Sequence, residues 1–203
     1  MRDPARREAG GSALSRLPLA SWRLFVASCA ILATGNTATT LDLWWEGLGQ
    51  QAVVAVALVY FTLAWVGLVW PDRSWPWLRG ALATSLVLAT AAHLFEGGSL
   101  TSAWAPLVHA AVPTLVVADY VAIGRSAGKW WWPLTWALLP LAYLVYYAGS
   151  GLLFYEFLDP FGDYYQLSVL GFLLAGAAIG FVLFGLAGGR QSTYDHDISV
   201  SGR

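Results

Sequence analysis

Long stretches of this chain carry almost no charge, and short charged segments separate them. Only 11% of the 203 residues are charged, whereas a soluble domain usually has about 25%. A membrane-spanning helix needs about 20 mostly apolar residues, and each weakly charged stretch can supply one. The sequence therefore predicts an all-α polytopic membrane protein, a bundle of six transmembrane helices. The predicted spans lie near residues 20–40, 51–70, 77–95, 102–124, 130–149 and 165–187.

The two ends of the chain differ from this apolar middle part. Residues 1–19 are polar and rich in Gly and Ala, which predicts a disordered cytoplasmic N-terminal tail. Residues 188–203 have a similar composition and predict a disordered cytoplasmic C-terminal tail. Residues 20–187 then form the transmembrane domain. The single cysteine, Cys29, excludes an intrachain disulfide.

The charged residues also predict an orientation. All 11 Lys and Arg residues lie in or beside the two tails and the loops that follow the second and fourth predicted spans. By the positive-inside rule, both termini are cytoplasmic in a multi-pass plasma membrane protein. Ten Arg to one Lys is typical of a GC-rich bacterial genome and suggests a bacterial inner membrane. A net charge of −1 gives no support for a nucleic-acid partner. The other three loops carry only acidic residues, at Asp42, Glu46, Glu96, Glu156, Asp159 and Asp163.

Asp119 is the most costly residue inside a predicted span, because a bilayer penalises a buried carboxylate. Two interpretations compete. Its carboxylate accepts hydrogen bonds from Tyr or Trp side chains on neighbouring helices, or it relays protons and orients a partner. His109, in the same span, lies about 15 Å away along the helix axis. Asp119 therefore cannot orient the imidazole of His109 directly.

His109 lies in the outer half of the fourth span, where an imidazole can exchange a proton near pH 7. A purely structural histidine is the alternative. Pro113 lacks an N–H group, so it leaves the carbonyl of His109 without its helical partner and predicts a kink. His93, near the outer end of the third span, has the features of a boundary residue.

Two further features of the spans and loops bear on function. Thr62 is a hydroxyl deep in the second span, and Thr in such helices commonly bonds the carbonyl one turn back. The segment 149–165, GSGLLFYEFLDPFGDYY, is both aromatic and acidic. It predicts either an interfacial segment at headgroup level or a lid over an outward-facing pocket.

Three places in the chain together resemble a known family. They are Thr62 in the run YFT, the pattern His109, Pro113 and Asp119 in the fourth span, and a run before the last span. That run contains Gly151, Tyr155, Phe157, Leu158 and Asp159. The order of these elements resembles the androgen-induced-gene membrane proteins, including the androgen-dependent TFPI-regulating protein, and their bacterial integral-membrane relatives. The resemblance covers about residues 50–187.

The resemblance implies an intramembrane threonine hydrolase that cleaves fatty-acid esters of hydroxy fatty acids and needs no cofactor. Thr62 would be the nucleophile and His109 the base that takes its proton. Helix rise places Thr62 about 16 Å and His109 about 10 Å from the outer ends of their spans, a difference that helix tilt can close. The supporting residues would be Pro113, Asp119, Tyr155 and Asp159.

Three functions follow from these features. The first is this hydrolase, acting on fatty-acyl esters among the membrane lipids. The second is a non-enzymatic membrane protein that binds lipid or serves as an accessory subunit. The third is a haem protein in which His93 and His109 are the two axial ligands.

Overall fold

The computed structural model describes residues 17–70, 75–123 and 129–201, with side chains as far as residue 188. Residues 1–16 of the predicted disordered tail 1–19 lie outside these residues, and Leu17 to Leu19 belong to the first helix. Within them the chain forms only helices and connecting turns. The α-helices are α1 (Leu17–Thr40), α2 (Leu48–Val69), α3 (Pro76–Phe95), α4 (Val112–Ile123), α5 (Trp132–Trp136), α6 (Leu138–Gly149) and α7 (Tyr165–Ser201). The protein is thus an all-helical bundle, as the sequence predicts.

Four helices are long and apolar enough to cross a membrane. They are α1, α2, α3 and the first part of α7, Tyr165–Gly188, and they coincide with the first, second, third and sixth predicted spans. The chain is therefore an integral membrane protein by the length and composition of its helices. Helix α7 continues to Ser201, into the segment predicted as a disordered tail. No proline interrupts residues 165–201, so nothing in the covalent backbone ends that helix earlier.

The other two predicted spans are each divided in two, and a proline explains both divisions. In the fourth span, a π-helical turn, Leu107–Ala111, precedes α4, and Pro113 removes the N–H that would bond the carbonyl of His109. In the fifth span, α5 ends at Trp136, and Pro140 removes the N–H that would bond the carbonyl of that residue. Six membrane crossings remain the prediction of the sequence.

Helix α3 lies at the centre of the bundle. In the apolar 18-residue segment of α3, 61% of the residues are buried. The corresponding segments of the other three long helices are 22% to 33% buried. Gly80 on α3 allows a close approach by the indole of Trp136, because a Cβ atom there would clash with that ring. Large apolar side chains on the outer faces of α2 and α7 are exposed, as is typical of helices that face lipid.

The bundle has two ends of opposite charge. We call the end where α1 finishes and α2 begins the Trp44 end, and the opposite one the Trp22 end. Among residues 17–188, the described acidic residues other than Asp119 lie at the Trp44 end, whereas Arg23, Arg79 and Lys129 lie towards the Trp22 end. This asymmetry is the basis of the predicted orientation, in which the Trp22 end is cytoplasmic.

Candidate functional site

Asp119 is fully buried on α4, and its carboxylate accepts hydrogen bonds from side chains of three other helices. Its Oδ2 accepts from Arg79 Nε at 2.7 Å and from the Tyr60 hydroxyl at 2.9 Å. Its Oδ1 accepts from Trp22 Nε1 at 3.0 Å. One of the two interpretations of the sequence expected Tyr and Trp donors; neither expected Arg79, which also donates to the carbonyl of Asp119. Both carboxylate oxygens are thus occupied, and the carboxylate joins α1, α2 and α3 to α4.

A second buried arginine lies in the same part of the bundle. Arg23 is 2% exposed and donates from Nη1 to the carbonyl of Leu63 at 3.2 Å. Arg79 and Asp119 form a salt bridge in which neither side chain is more than 1% exposed. A buried pair of this kind is costly to break, because the remaining charge is left without compensation. Its geometry favours a structural role.

His93 and His109 lie face to face at the other end of the bundle. Their ring centroids are 4.0 Å apart, and the ring planes differ by 3°. The indole of Trp104 packs edge-on against both rings. A Cβ atom at Gly49 would lie 2.8 Å from His109 Cε1, and one at Gly98 would overlap the ring of His93. The two glycines therefore make room for the stacked imidazoles.

This stack does not fit the haem hypothesis. Two axial histidines must point a ring nitrogen at one iron from opposite faces of the haem. Parallel rings of His93 and His109 in van der Waals contact leave no room for a porphyrin between them. Within residues 17–70, 75–123 and 129–201, no three His, Cys, Asp or Glu side chains are grouped so that they could hold a metal ion.

Pro113 acts on the backbone in the way that the sequence predicts. It leaves the carbonyl of His109 free, and the hydroxyl of Thr90 on α3 donates to that carbonyl at 3.1 Å. The π-helical turn of residues 107–111 absorbs the local change in helix geometry. Pro113 thus creates a hydrogen bond between α3 and the fourth span.

Thr62 lies on the exposed face of α2, and its hydroxyl donates to the carbonyl of Leu58 at 2.8 Å. His109, by contrast, is 5% exposed and contacts α2 at Gly49. Thr62 follows Gly49 by thirteen residues, which is about 20 Å along the helix and about 220° around it. The structure therefore does not bring Thr62 and His109 together, and the proton transfer between them lacks the required geometry.

Tyr155 and Asp159 shape the loop that follows α6. The hydroxyl of Tyr147 accepts from the N–H of Tyr155 at 2.7 Å and donates to its carbonyl at 3.1 Å. Burial raises the pKa of the Tyr155 phenol above its usual range. Asp159 Oδ1 accepts from the N–H of Phe161 at 2.9 Å, which closes a tight turn. Gly151, at φ +64°, supplies the left-handed conformation where the loop begins.

This loop lines an open cavity beside the ends of α3 and α7. The cavity has a volume of about 510 Å³ and is lined by acidic and aromatic residues. Glu96 anchors the loop by accepting from the N–H of Phe157 at 3.2 Å. The sequence did not single out Glu96, although it is the only acidic residue between the third and fourth spans.

An apolar groove of about 380 Å³ continues from this cavity along α3 and α7. Phe95, Phe157 and Ser168 line both spaces, so the two are contiguous. We call the cavity and the groove together the α3–α7 site. One end of this site is polar and acidic, and the other is apolar.

No protein-family model matches the chain, and no curated protein or solved structure matches it. The resemblance to the androgen-induced-gene family therefore stays a hypothesis, based on the residues that carry it.

Proposed function

We propose that this integral membrane protein binds, without chemical conversion, one amphipathic ligand that has a positively charged head group and an apolar chain. The observation that carries the proposal is the contiguity of the acidic cavity with the apolar groove. Such a ligand would place its head group beside the loop and its chain between α3 and α7. Its source would be the membrane.

The apolar groove suits a hydrocarbon chain. It is lined mainly by Leu88, Ala91, Ala92, Gly171, Phe172 and Ala175. Small residues on both helices leave the groove open. It faces the region where lipid chains lie, so a bound chain would exchange with the membrane directly.

The cavity at the other end suits a cation. Four carboxylates line it, those of Glu96, Glu156, Asp159 and Asp163, together with aromatic rings. The sequence has no Lys or Arg between residues 80 and 124 or between 130 and 189 to neutralise them. Aromatic rings and carboxylates together are the groups that recognise quaternary ammonium ions.

The hydrolase remains the alternative that the family resemblance implies. It requires Thr62 as the nucleophile, but this hydroxyl faces outward and is bonded to its own helix. His109 cannot take the proton of the Thr62 hydroxyl, because the two residues are separated by about 20 Å along α2. Binding without ester cleavage agrees better with these positions.

One probe tests both functions. Palmitoylcholine is a cationic amphiphile that contains a cleavable ester, and methyl palmitate is its uncharged counterpart. We expect purified protein in dodecyl maltoside to retain one intact palmitoylcholine in native mass spectrometry, about fivefold more strongly than methyl palmitate. Release of palmitate by the natural protein, but not by Thr62→Ala, would instead establish the hydrolase.

Matched variants separate the two ends of the site. Glu156→Gln with Asp163→Asn should remove the preference for palmitoylcholine, whereas Asp42→Asn, at the same end of the bundle but outside the cavity, should keep it. Ala175→Trp should block both ligands. Ala178→Trp lies on the exposed face of the same helix outside the groove and should block neither. Unchanged binding in both site variants would contradict the proposal.

A further inference from the structure

A second space opens on another side of the bundle, between α2, α3 and α6. It has a volume of about 280 Å³ and we call it the α2–α6 slot. No charged residue lines it. Its apolar walls are Leu48, Ala52, Ala55, Leu82, Leu139 and Ala142.

The slot runs along the helices rather than across them. On α2 it extends from Leu48, at the start of the helix, to Ala55, which is about 10 Å deeper. Helix α6 runs in the opposite direction, so Leu139 lies at the deep end and Tyr146 at the Trp44 end. The slot thus extends over about 10 Å parallel to the helices, which is the direction of an acyl chain in a bilayer.

At the Trp44 end the slot meets a second opening of about 420 Å³, lined by Trp44, Trp45, Gln51, Val54 and Tyr146. Gln51 and Tyr146 line both spaces, which are therefore continuous. The ring centroid of Trp45 is 6.3 Å from that of Tyr146. Because Trp and Tyr favour the boundary between lipid chains and headgroups, this opening lies at the depth of the glycerol esters.

The hydroxyl of Tyr146 is a buried polar group that lacks a partner among the described residues. The nearby amide of Gln51 donates from Nε2 to the carbonyl of Trp45 at 3.0 Å. Ser85, deeper in the slot, donates to the carbonyl of Ala81 at 2.9 Å. A buried hydroxyl without a partner is costly, so this one calls for an acceptor from another molecule.

We propose that the α2–α6 slot binds one acyl chain of an ester-linked phospholipid, and that Tyr146 donates a hydrogen bond to the ester carbonyl. The uncharged lining matches the uncharged acyl-glycerol region. The lipid headgroup then lies beyond Trp44 and Trp45, in contact with water. This site is separate from the α3–α7 site and selects its ligand through an acceptor oxygen instead of a positive charge.

An ester–ether comparison tests this bond. Dipalmitoyl phosphatidylglycerol and its diether analogue, dihexadecyl phosphatidylglycerol, share a chain length and a headgroup without a positive charge, but only the first has ester carbonyls. Delipidated protein in dodecyl maltoside receives an equal mixture of the two, and native mass spectrometry counts the lipids retained. We expect about a fivefold preference for the diester, the effect of one net hydrogen bond.

Two substitutions complete the test. Tyr146→Phe should bring the ratio of diester to diether close to one while it leaves retention of the diether unchanged, so the diether reports that the variant is folded. Ala55→Phe should lower retention of both lipids, and Leu58→Phe, on the exposed face of the same helix, should not. Equal retention of both lipids by the natural protein, or a preference that persists in Tyr146→Phe, overturns the proposal.

Discussion

Arg79 donates to Asp119 across 2.7 Å between α3 and α4, and neither side chain is more than 1% exposed. The same carboxylate accepts from Tyr60 on α2 and Trp22 on α1. One negative charge therefore organises the first four helices of the bundle.

Replacement of Asp119 by Asn should destabilise the protein strongly. It leaves the buried guanidinium of Arg79 without a counter-charge, which we expect to lower the free energy of unfolding by about 3 kcal/mol. Reversible unfolding by SDS in mixed micelles, followed by circular dichroism, measures this change. Asp42→Asn removes an exposed carboxylate and should have almost no effect. Addition of Arg79→Met to Asp119→Asn should recover part of the loss, and a further loss of similar size would contradict the pairing.

Thr90→Val should weaken the contact between α3 and the fourth span. It deletes the hydroxyl that bonds the carbonyl freed by Pro113, so we expect a loss of about 1 kcal/mol. The same unfolding measurement applies. Thr62→Val is the matched control, because its hydroxyl bonds only its own helix and faces outward. Equal effects at the two positions would show that the bond between helices adds no stability.

Gly49→Ala should disturb the histidine stack. Its Cβ atom would lie 2.8 Å from His109 Cε1 and 3.3 Å from Val108 Cγ1, so we expect a cost of about 1–3 kcal/mol. Gly35→Ala, also within a helix, meets no atom within 4 Å and should be neutral or stabilising by up to about 1 kcal/mol. Melting temperatures of the two variants in detergent provide the comparison. A more stable Gly49→Ala variant would mean that the imidazoles shift at little cost.

Thr62→Ala should leave both stability and ligand binding unchanged. The hydroxyl is exposed and makes one bond, to Leu58 within its own helix, so its loss should cost less than about 0.5 kcal/mol. Labelling by an acyl-directed fluorophosphonate probe, measured beside retention of palmitoylcholine, tests the absence of a nucleophilic role. Loss of labelling in a folded Thr62→Ala variant would restore the hydrolase.

The sequence predicts the helices of this fold well, because each long helix occupies a stretch with almost no charged residues. One of the two interpretations of Asp119, hydrogen bonds from Tyr and Trp side chains, agrees with the structure. The sequence does not reveal the role of Arg79, because an arginine so close to a basic loop is typical of a cytoplasmic loop charge. Yet Arg79 lies inside the predicted third span, at a depth similar to that of Asp119 in the fourth, and this similarity could have revealed the pair.

The predicted proximity of Thr62 and His109 is wrong for a different reason. The predicted depth of His109 holds only if the fourth span is helical from residue 102, whereas its helical part begins only shortly before Leu107. His109 therefore lies near the start of its helix, at the level of Gly49. The second span is apolar on all sides, so its pattern could not show which face carries Thr62. Cavities such as the α3–α7 site form between helices that are distant in the sequence. No repeating pattern of residues in one helix indicates them.

The pairing of Arg79 with Asp119 has a consequence for biogenesis. A single charge costs about 2.5–3.5 kcal/mol at the centre of a membrane-inserted helix, and an unpaired charge nearer the helix end costs less. Arg79 and Asp119 belong to consecutive helical segments, so release into the bilayer as one hairpin neutralises both. We expect a chain truncated after α3 to insert that helix less efficiently than one that continues through α4, which glycosylation mapping of truncated chains measures. The ion pair thus favours insertion of the third and fourth segments together during synthesis, before the later helices complete either ligand site.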